Sequence, residues 1–355
     1  MSNPTKVVQK CVTCGGDLIF NPSKNGLVCK RCGNFQSVTG AVTTEKSFQT
    51  LLHSAPTWQK DTTVLRCEHC GAKSVVSKHD LVVKCDYCGA SNMFKTEERP
   101  GLRPDTIVLF NQSSAEADKL LANWLSKRFF TPSDFKKQLK NRQLKGIYYP
   151  AFTFDANVIT RYTGTLVQTN SITVTVDGKE ITRTQTTRNS IADVDTQIFD
   201  DILVLANDND VPPKVLKALQ PFDTNHGQAF QQSYLSGFTV AQASKEAQDC
   251  WAEAKLQMEQ SIRNKISSHY IGENTTFENL RLDIDFLNIT YKYVLLPLYV
   301  GHVEYRGTKY PLYVNGQTGK IHGKTPRSFW KILFTCLFGG ALAFGFGIVL
   351  ALLFY

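Results

Sequence analysis

Apolar and polar residues alternate through much of the middle of the chain, and this two-residue period predicts β-strands. Residues 147–205 alternate over most of their length, and Asp177-Gly178 within them predicts a tight hairpin turn. The pattern returns in residues 280–323, where Asn315-Gly316 predicts a second hairpin. Strands joined by short turns run in opposite directions, so these segments predict a mainly antiparallel sheet.

Apolar residues three and four positions apart predict helices before and after the first run of strands. Shorter helices are predicted at residues 113–128, from residue 131 and at residues 212–219. The longest is predicted at residues 241–268, and its buried stripe comprises Ala247, Trp251, Met258, Ile262 and Ile266. The predicted fold class is therefore α+β, with one mainly antiparallel domain over residues 105–325 and a helical insertion within it.

The last part of the chain is apolar without interruption. Residues 332–355 carry no charged side chain, and a helix of that length measures about 36 Å, against roughly 30 Å for a hydrocarbon core. The preceding basic residues are Lys320, Lys324, Arg327 and Lys331. Basic residues stay on the cytoplasmic side of a membrane. The pattern predicts one transmembrane helix over residues 330–355 in a single-pass cell-membrane protein with cytoplasmic N-terminal domains; a buried core helix is the alternative.

Small residues recur every four positions within this segment, at Thr335, Gly339, Ala343, Gly347 and Ala351. Such a ridge permits two helices to cross closely, although Gly and Ala are common in membrane helices generally. The expected partners therefore include the lipid bilayer and, through this helix, a second copy of the chain.

Eight of the ten cysteines stand in four C-x-x-C pairs, which form two sets with the same internal spacing. The first set is Cys11, Cys14, Cys29 and Cys32, and the second is Cys67, Cys70, Cys85 and Cys88. Zinc prefers tetrahedral coordination by thiolates, and two such pairs joined by a hairpin supply four of them. The spacing predicts two structural zinc ions; iron–sulfur ligation and redox-active dithiols are the alternatives.

The repeat also sets the predicted domain boundaries. Zinc ribbon 1 is predicted at residues 8–37 and zinc ribbon 2 at residues 64–96. Residues 38–63 between them are rich in Ser, Thr and Gln without clear periodicity and are predicted to be a linker. The chain begins without an apolar run that resembles a signal peptide, so the cysteines are expected to be reduced and free to bind metal.

The formal net charge of +9 changes once zinc is counted. A zinc ion with four thiolates carries a net charge of −2, so two sites lower the total to about +5. Residues 1–100 hold 13 Lys and Arg against 8 Asp and Glu, and their charge falls to about +1 by the same correction. The ribbons therefore lack the large positive charge that favours nucleic acid.

No arrangement typical of catalysis stands out in the sequence. The seven histidines are scattered, and no Ser/His/Asp or Cys/His set is evident. The run GQTGKIHGKT at residues 316–325 resembles a phosphate-binding loop, but the spacing from Gly319 to Gly323 is one residue too short. The chain is therefore expected not to be an enzyme.

Several runs carry a resemblance to known families. The paired cysteine knuckles are similar to zinc ribbons of the transcription factor IIB type. Longer runs are GIYYPAFTFDA at residues 146–156, YLSGF at 234–238, LLPLYV at 295–300 and YVNGQTGKIHGKTPRS at 313–328. With the apolar tail, they look like a family of bacterial membrane-anchored zinc-ribbon proteins. That resemblance implies zinc, a membrane anchor and a cytoplasmic orientation, and it assigns no activity.

These observations leave binding as the expected function. The chain is predicted to be a non-enzymatic, membrane-tethered zinc-ribbon adaptor or scaffold that binds cytoplasmic protein partners. A membrane-tethered nucleic-acid-binding protein is the alternative, because zinc ribbons often bind nucleic acid.

Overall fold

The computed structural model describes most of the 355-residue chain. The described residues are 9–38, 40–41, 43–53, 62–77, 84–90, 93–96, 101–138, 144–176, 179–270, 272 and 274–337. The predicted turn at Asp177-Gly178 lies outside them.

The described residues form strands over 46% of their number, together with six helices. The strands are β1 (Gln9–Lys10), β2 (Asp17–Asn21), β3 (Gly26–Cys29), β4 (Phe35–Ser37), β5 (Lys46–Ser47), β6 (Thr62–Cys67), β7 (Lys73–Ser77), β8 (Met93–Lys95), β9 (Thr106–Ile107), β10 (Lys145–Val176), β11 (Lys179–Leu205), β12 (Gln228–Ala229), β13 (Thr239–Ala241), β14 (Thr275–Tyr305), β15 (Thr308–Asn315) and β16 (Ile321–Gly323). The helices are α1 (Phe48–His53), α2 (Ser114–Ser126), α3 (Ser133–Gln138), α4 (Pro213–Leu219), α5 (Ala247–Tyr270) and α6 (residues 329–337).

Three long strands dominate the molecule. β10 has 32 residues and lies between β11 and β14, with antiparallel pairing on both sides. The first part of β10, through Ala156, belongs to a body in which further strands and helices cover the sheet. The remainder, with residues 179–198 of β11 and 275–287 of β14, projects as an arm that is three-stranded as far as Gln168 and two-stranded beyond it. At roughly 3.3 Å per residue, residues 157–176 make this arm about 65 Å long.

The body is buried on both faces of its sheet, because successive side chains of a strand point to opposite sides. Tyr148 packs into one core with Phe110, which stacks on Phe238 at a ring-centroid distance of 4.3 Å. Ile147 and Tyr149, its neighbours on β10, pack into a second core with α4. Sandwiching the sheet between two cores gives a rigid base for the arm.

The arm is covered on one face by α5. The predicted stripe is confirmed, since Ala247, Met258, Ile262 and Ile266 are buried against the sheet and Trp251 is partly buried. The helix begins at Ala247, six residues after the predicted start, because Thr239–Ala241 forms β13 beside β10. We call this covered side the inner face of the arm and the opposite side the outer face.

The hairpin predicted at Asn315-Gly316 is present, since β15 and β16 pair antiparallel from Val314 to Ile321. Asn315 is fully buried, and its side-chain amide donates to the carbonyls of Leu219 and Pro221, which fixes this connection against the end of α4. The Asn residue therefore holds the loop to the body as well as starting the turn.

The predicted α+β fold class is wrong, because the described part of the chain is mostly sheet and has much less helix than that class implies. The alternating runs were expected to be several short strands. They join instead into three continuous strands of 27 to 32 residues. A period of two residues marks a strand but does not show where it ends, so the extent of pairing was underestimated.

The transmembrane helix predicted over residues 330–355 is also corrected. Within the ranges that the structure describes, no helix is both long and apolar enough to cross a bilayer. The described part of α6 spans nine residues, about 14 Å, and residues 338–355 lie outside the described ranges. α5 has 24 residues but exposes a polar side. The described helices therefore do not support the predicted single-pass location with cytoplasmic N-terminal domains.

Candidate metal centres

The four sulfurs of the first cysteine set lie together at one end of the sheet formed by β1 to β4. Cys11 Sγ is 3.7 Å from Cys32 Sγ, and Cys14 Sγ is 3.5 Å from Cys29 Sγ. All four sulfurs lie within 4.8 Å of one another. The structure thus brings together all four residues that were predicted as ligands of the first ion.

The second set repeats this geometry. Cys67 Sγ is 3.7 Å from Cys88 Sγ, and Cys70 Sγ is 3.6 Å from Cys85 Sγ. These four sulfurs also lie within 4.8 Å of one another. The four-sulfur arrangement is therefore repeated in structure, although the strand pairing differs, since β8 pairs with β6 whereas β4 pairs with β3.

The donor sets fit a single tetrahedral ion. Zinc–sulfur bonds of about 2.3 Å in a tetrahedron place the sulfurs about 3.8 Å apart, close to the distances found. Disulfides require about 2.05 Å between sulfurs, so neither set is paired as disulfides. A cluster of several irons would hold its ligands further apart. Both four-cysteine groups can therefore bind zinc.

The turns that carry the cysteines depend on glycine. The residue after the second Cys of each pair has a positive φ, from 67° to 77°, at Gly15, Gly33, Gly71 and Gly89. In each turn this Gly donates its N–H to the carbonyl of the first Cys, at 2.8 to 3.0 Å. A side chain at a positive φ is strained, so glycine is required to close these knuckles.

Each set contains thiols of lowered and of raised pKa: the pKa of Cys32 in the first set is raised, and that of Cys67 in the second is lowered. In the first, the backbone N–H groups of Thr13 and Cys14 point at the sulfur of Cys11 and lower the pKa of that thiol to about 6, against the effect of burial. In the second, burial raises the pKa of Cys70 to about 11 and also raises the pKa of Cys85. The N–H groups around Cys11 favour the thiolate that a metal requires.

Zinc ribbon 1 docks onto the body through its second strand. Phe20 of β2 contacts Tyr234 edge-on at 5.7 Å between ring centroids, and its N–H donates to Ser236 O at 3.0 Å. Leu18 and Cys11 join the same buried core as Tyr234. Gly237, which has a positive φ of 93°, lets the body chain pass close to Ile19.

Zinc ribbon 2 is built into the central sheet. Val75 of β7 pairs with Val240 of β13, and β13 in turn pairs with β10. The two residues between Cys85 and Cys88 anchor the knuckle itself. Asp86 forms an ion pair with Lys145 at 2.7 Å and accepts a hydrogen bond from Thr239 Oγ1, and Tyr87 contacts Tyr149 edge-on.

Sequence reasoning missed the role of Asp86 and Tyr87. They occupy the variable positions of a C-x-x-C pair, where exposed residues are usual. Their partners Lys145 and Tyr149 lie about sixty positions away, so no local pattern links them. Two further residues of ligand type have other contacts: Cys250 is buried and contacts Leu205 O, and His69 Nε2 lies 3.5 Å from Lys309 Nζ.

A third group of metal-type side chains lies where the arm joins the body. The carboxylates of Glu45, Asp155, Asp200 and Asp201 lie within 4.8 Å of one another. The ammonium group of Lys292, 95% buried by side-chain area, lies 3.3 Å from Glu45 Oε1 and 3.4 Å from Asp201 Oδ1. Lys292 therefore pairs with two of the four carboxylates, and this part of the group is an ion-pair network.

One proton is shared within this network. Burial, together with a hydrogen bond to Glu45, raises the pKa of Asp155 to about 7. The same hydrogen bond, aided by Thr290 and Lys292, lowers the pKa of Glu45. Asp155 thus holds the proton, while Glu45 is ionised and pairs with Lys292.

Comparison with known proteins adds one similarity. No family model matches the chain, and no solved structure matches it. The chain is 25% identical over 232 residues to "Uncharacterized protein YdjG" of Bacillus subtilis (strain 168). The match covers 65% of this chain and 66% of that relative, slightly less than two thirds of its length. The name of this relative assigns it no activity, ligand or partner.

The resemblance to membrane-anchored zinc-ribbon proteins is supported only in part. The two four-cysteine groups that can form zinc ribbons are present. Membrane anchoring, the other half of the resemblance, has no support in the described helices.

Proposed function

We propose that the protein is a non-enzymatic adaptor in which two zinc ribbons brace a β-sheet body and the arm binds a protein partner. The observation that carries this proposal is the outer face of the arm. This face exposes apolar side chains to solvent, and an exposed apolar patch is typical of a surface that binds another molecule.

The exposed apolar residues lie side by side on neighbouring strands. Ile198 of β11 and Leu287 of β14 both pair with Asn157 of β10, so the three side chains share one face. Ile198 is 79% exposed and Leu287 is 44% exposed. Val194, two residues from Ile198 on the same face, is 57% exposed. An apolar group of this kind is typical of a protein-binding surface.

Over the three-stranded part of the arm, the outer face carries three basic residues, Arg161, Arg188 and Arg281, and three acidic ones, Glu278, Asp283 and Asp285. Arg161 donates to Asp283 at 3.1 Å and to Asp285 at 2.5 Å, across the β10–β14 pair. A surface that is apolar and locally neutral suits a protein better than a nucleic acid, whose binding is driven by excess positive charge.

The placement of the ribbons supports the same conclusion. Phe20 of zinc ribbon 1 packs on Tyr234, and β7 of zinc ribbon 2 pairs with β13. These surfaces of the ribbons are therefore occupied by the body. Metal binding in both ribbons would stabilise the body that holds the arm.

Nucleic-acid binding is the second candidate, because each ribbon exposes one aromatic ring. Phe35 of β4 is 44% exposed and Phe94 of β8 is 42% exposed. Single-stranded nucleic acids stack their bases on such rings. The charge of about +1 in this part of the zinc-loaded chain argues against it.

Site-specific photo-cross-linking tests the adaptor proposal. A photoreactive amino acid at position 198 is expected to cross-link one defined protein in the native cell, unaffected by nuclease. The same amino acid at position 256, where Leu256 is 65% exposed on the solvent side of α5, is the matched control and should give no such product.

Reconstitution with the purified partner completes the test. Ile198→Asp should raise its dissociation constant by about tenfold or more, as expected for an apolar residue central to an interface, whereas Leu256→Asp should leave it unchanged. The proposal is rejected if the full-length protein instead binds DNA or RNA below micromolar concentration, with steep salt dependence that Phe35→Ala and Phe94→Ala abolish.

A further inference from the structure

The free edge of β11 is a second unpartnered feature of the arm, distinct from its outer face. Within the described residues, the arm portion of β11 pairs with β10 alone. The pairing is regular from Lys179 to Phe199, with no bulge before Phe199. A long, regular edge presents a row of free N–H and C=O groups and is a template for another strand.

The far end of the arm has little support of its own. β14 reaches only to Gln168 of β10, so residues 169–176 and 179–186 pair only with each other, as a two-stranded ribbon. The side chains of residues 182–190 are all exposed. A two-stranded hairpin without a packed face is marginally stable in water. A further strand along β11 would stabilise it.

The charges along β11 indicate which strand this is. Arg183 lies towards the tip, and Asp193 and Asp195 lie towards the body. These three residues pair with Ile172, Tyr162 and Thr160 of β10, which have the same parity, so all three share the inner face. Asp195 already forms an ion pair with Lys265 of α5 at 3.0 Å. A second copy of β11 running antiparallel reverses the order along the edge and places its Arg183 beside Asp193 and this ion pair. The edge is thus complementary to itself.

Symmetry restricts the register of such a pair. Two identical antiparallel strands related by a twofold axis oppose residues of equal parity. Placing Arg183 opposite Asp195 of the second copy brings Asn189 opposite Asn189 of the second copy, on the axis. A shift that places Arg183 opposite Asp193 of the second copy would set Arg188 against itself, and like charges directly opposite are destabilising.

We propose that the protein forms a homodimer in which the β11 edges of two copies pair antiparallel about Asn189. The two arms then form one continuous sheet. Because α5 covers the part of each arm nearest its own body, the α5 helices of the two copies lie at opposite ends of the paired β11 strands. The outer faces of both arms remain open, so this contact is independent of the partner proposed above.

Disulfide trapping in the full-length chain tests the register. Cys336, which is exposed, is first replaced by Ser. Opposed residues of antiparallel strands have Cα atoms about 4.5–5.5 Å apart, within the range of a disulfide. Asn189→Cys should therefore form a dimer by mild oxidation. Thr187→Cys and Ile191→Cys oppose each other in the two copies, so each alone should form no disulfide across the dimer and their mixture should cross-link.

Sedimentation of the zinc-loaded protein gives the second measurement. Wild type should sediment as a dimer, and Arg183→Glu should weaken self-association by about tenfold or more. Arg281→Glu is the matched control, because it makes the same charge change on β14 of the same arm and should leave the dimer unchanged. A monomeric wild type, failure of Asn189→Cys to cross-link, or equal cross-linking of Thr187→Cys alone would each overturn the proposal.

Discussion

At the residue scale, the carboxyl group of Asp155 has an unusual environment. It accepts hydrogen bonds from the Asp201 N–H at 2.6 Å and from Thr290 Oγ1 at 3.0 Å, and it shares a proton with Glu45. Burial opposes a second negative charge beside Glu45. Asp155 therefore acts as a neutral hydrogen-bonding group below about pH 7, although its sequence position alone suggests a charged turn residue.

This environment predicts a pH dependence of stability. Folded Asp155 keeps its proton up to about pH 7, whereas an unfolded Asp ionises near pH 3.9. Between these values the folded state binds more protons, so Asp155 makes the free energy of unfolding fall as pH rises from about 4 to about 7. Asp155→Asn keeps the hydrogen-bonding shape without the ionisation. Its stability relative to wild type should increase across that range and level off above it.

Urea unfolding at a series of pH values provides the measurement. Asp283→Asn, which alters a carboxylate 70% exposed by side-chain area on the outer face, is the control and should follow the wild-type curve. A constant difference between Asp155→Asn and wild type from pH 4 to pH 8 would show that Asp155 is ionised throughout.

At the element scale, the arm owes its inner layer to α5. Met258, Ile262 and Ile266 are buried against the strands, and Tyr270 at the helix end meets Tyr162 of β10 through their hydroxyls at 2.9 Å. A three-stranded sheet needs such a layer to bury one of its faces. The helix therefore stabilises the arm, and through it the outer face.

A pair of substitutions on α5 separates buried from exposed positions. Ile262→Ala leaves a cavity in the arm core and should lower the free energy of unfolding by about 2–5 kcal/mol, as measured by denaturant unfolding. Leu256→Ala, on the solvent side of the same helix, should change it by less than about 0.5 kcal/mol. Equal effects of the two substitutions would mean that α5 does not pack on the arm as described.

At the scale of the whole molecule, the two ribbons meet the body along one segment. Tyr234 contacts zinc ribbon 1, and Val240, six residues later, pairs with zinc ribbon 2. Since a zinc ribbon has little core without its metal, loss of an ion should loosen the part of this segment that faces it. The two metal centres are therefore linked to the body at neighbouring places.

Substitution of one ligand tests this link. Cys85→Ser should leave one zinc ion per chain by elemental analysis, against two in wild type and in the non-ligand control Cys250→Ser. Hydrogen exchange should rise in Thr239–Ala241, which pairs with β7, and stay unchanged in Gln232–Leu235, which faces zinc ribbon 1. Uniform loss of protection over both segments, or retention of two zinc ions, would contradict this arrangement.

The features that the sequence determined by itself are local ones. Cysteine pairs with the right spacing specify their own tetrahedral site, and the glycines after them specify the turn, because both depend on residues within a few positions. The stripe of α5 was likewise predictable, since a period of 3.6 residues states which side of a helix is apolar. These features depend on no distant contact.

Tertiary structure alone decided the features that join distant parts of the chain. Glu45 meets Lys292, and Asp86 meets Lys145, only because the strands bring them together. The length of the three strands was also undetermined, because alternation does not show which neighbour a strand pairs with or for how long. Pairing over tens of residues produces the arm, its open outer face and the free edge of β11. These surfaces, on which the proposed functions depend, are therefore properties of the fold.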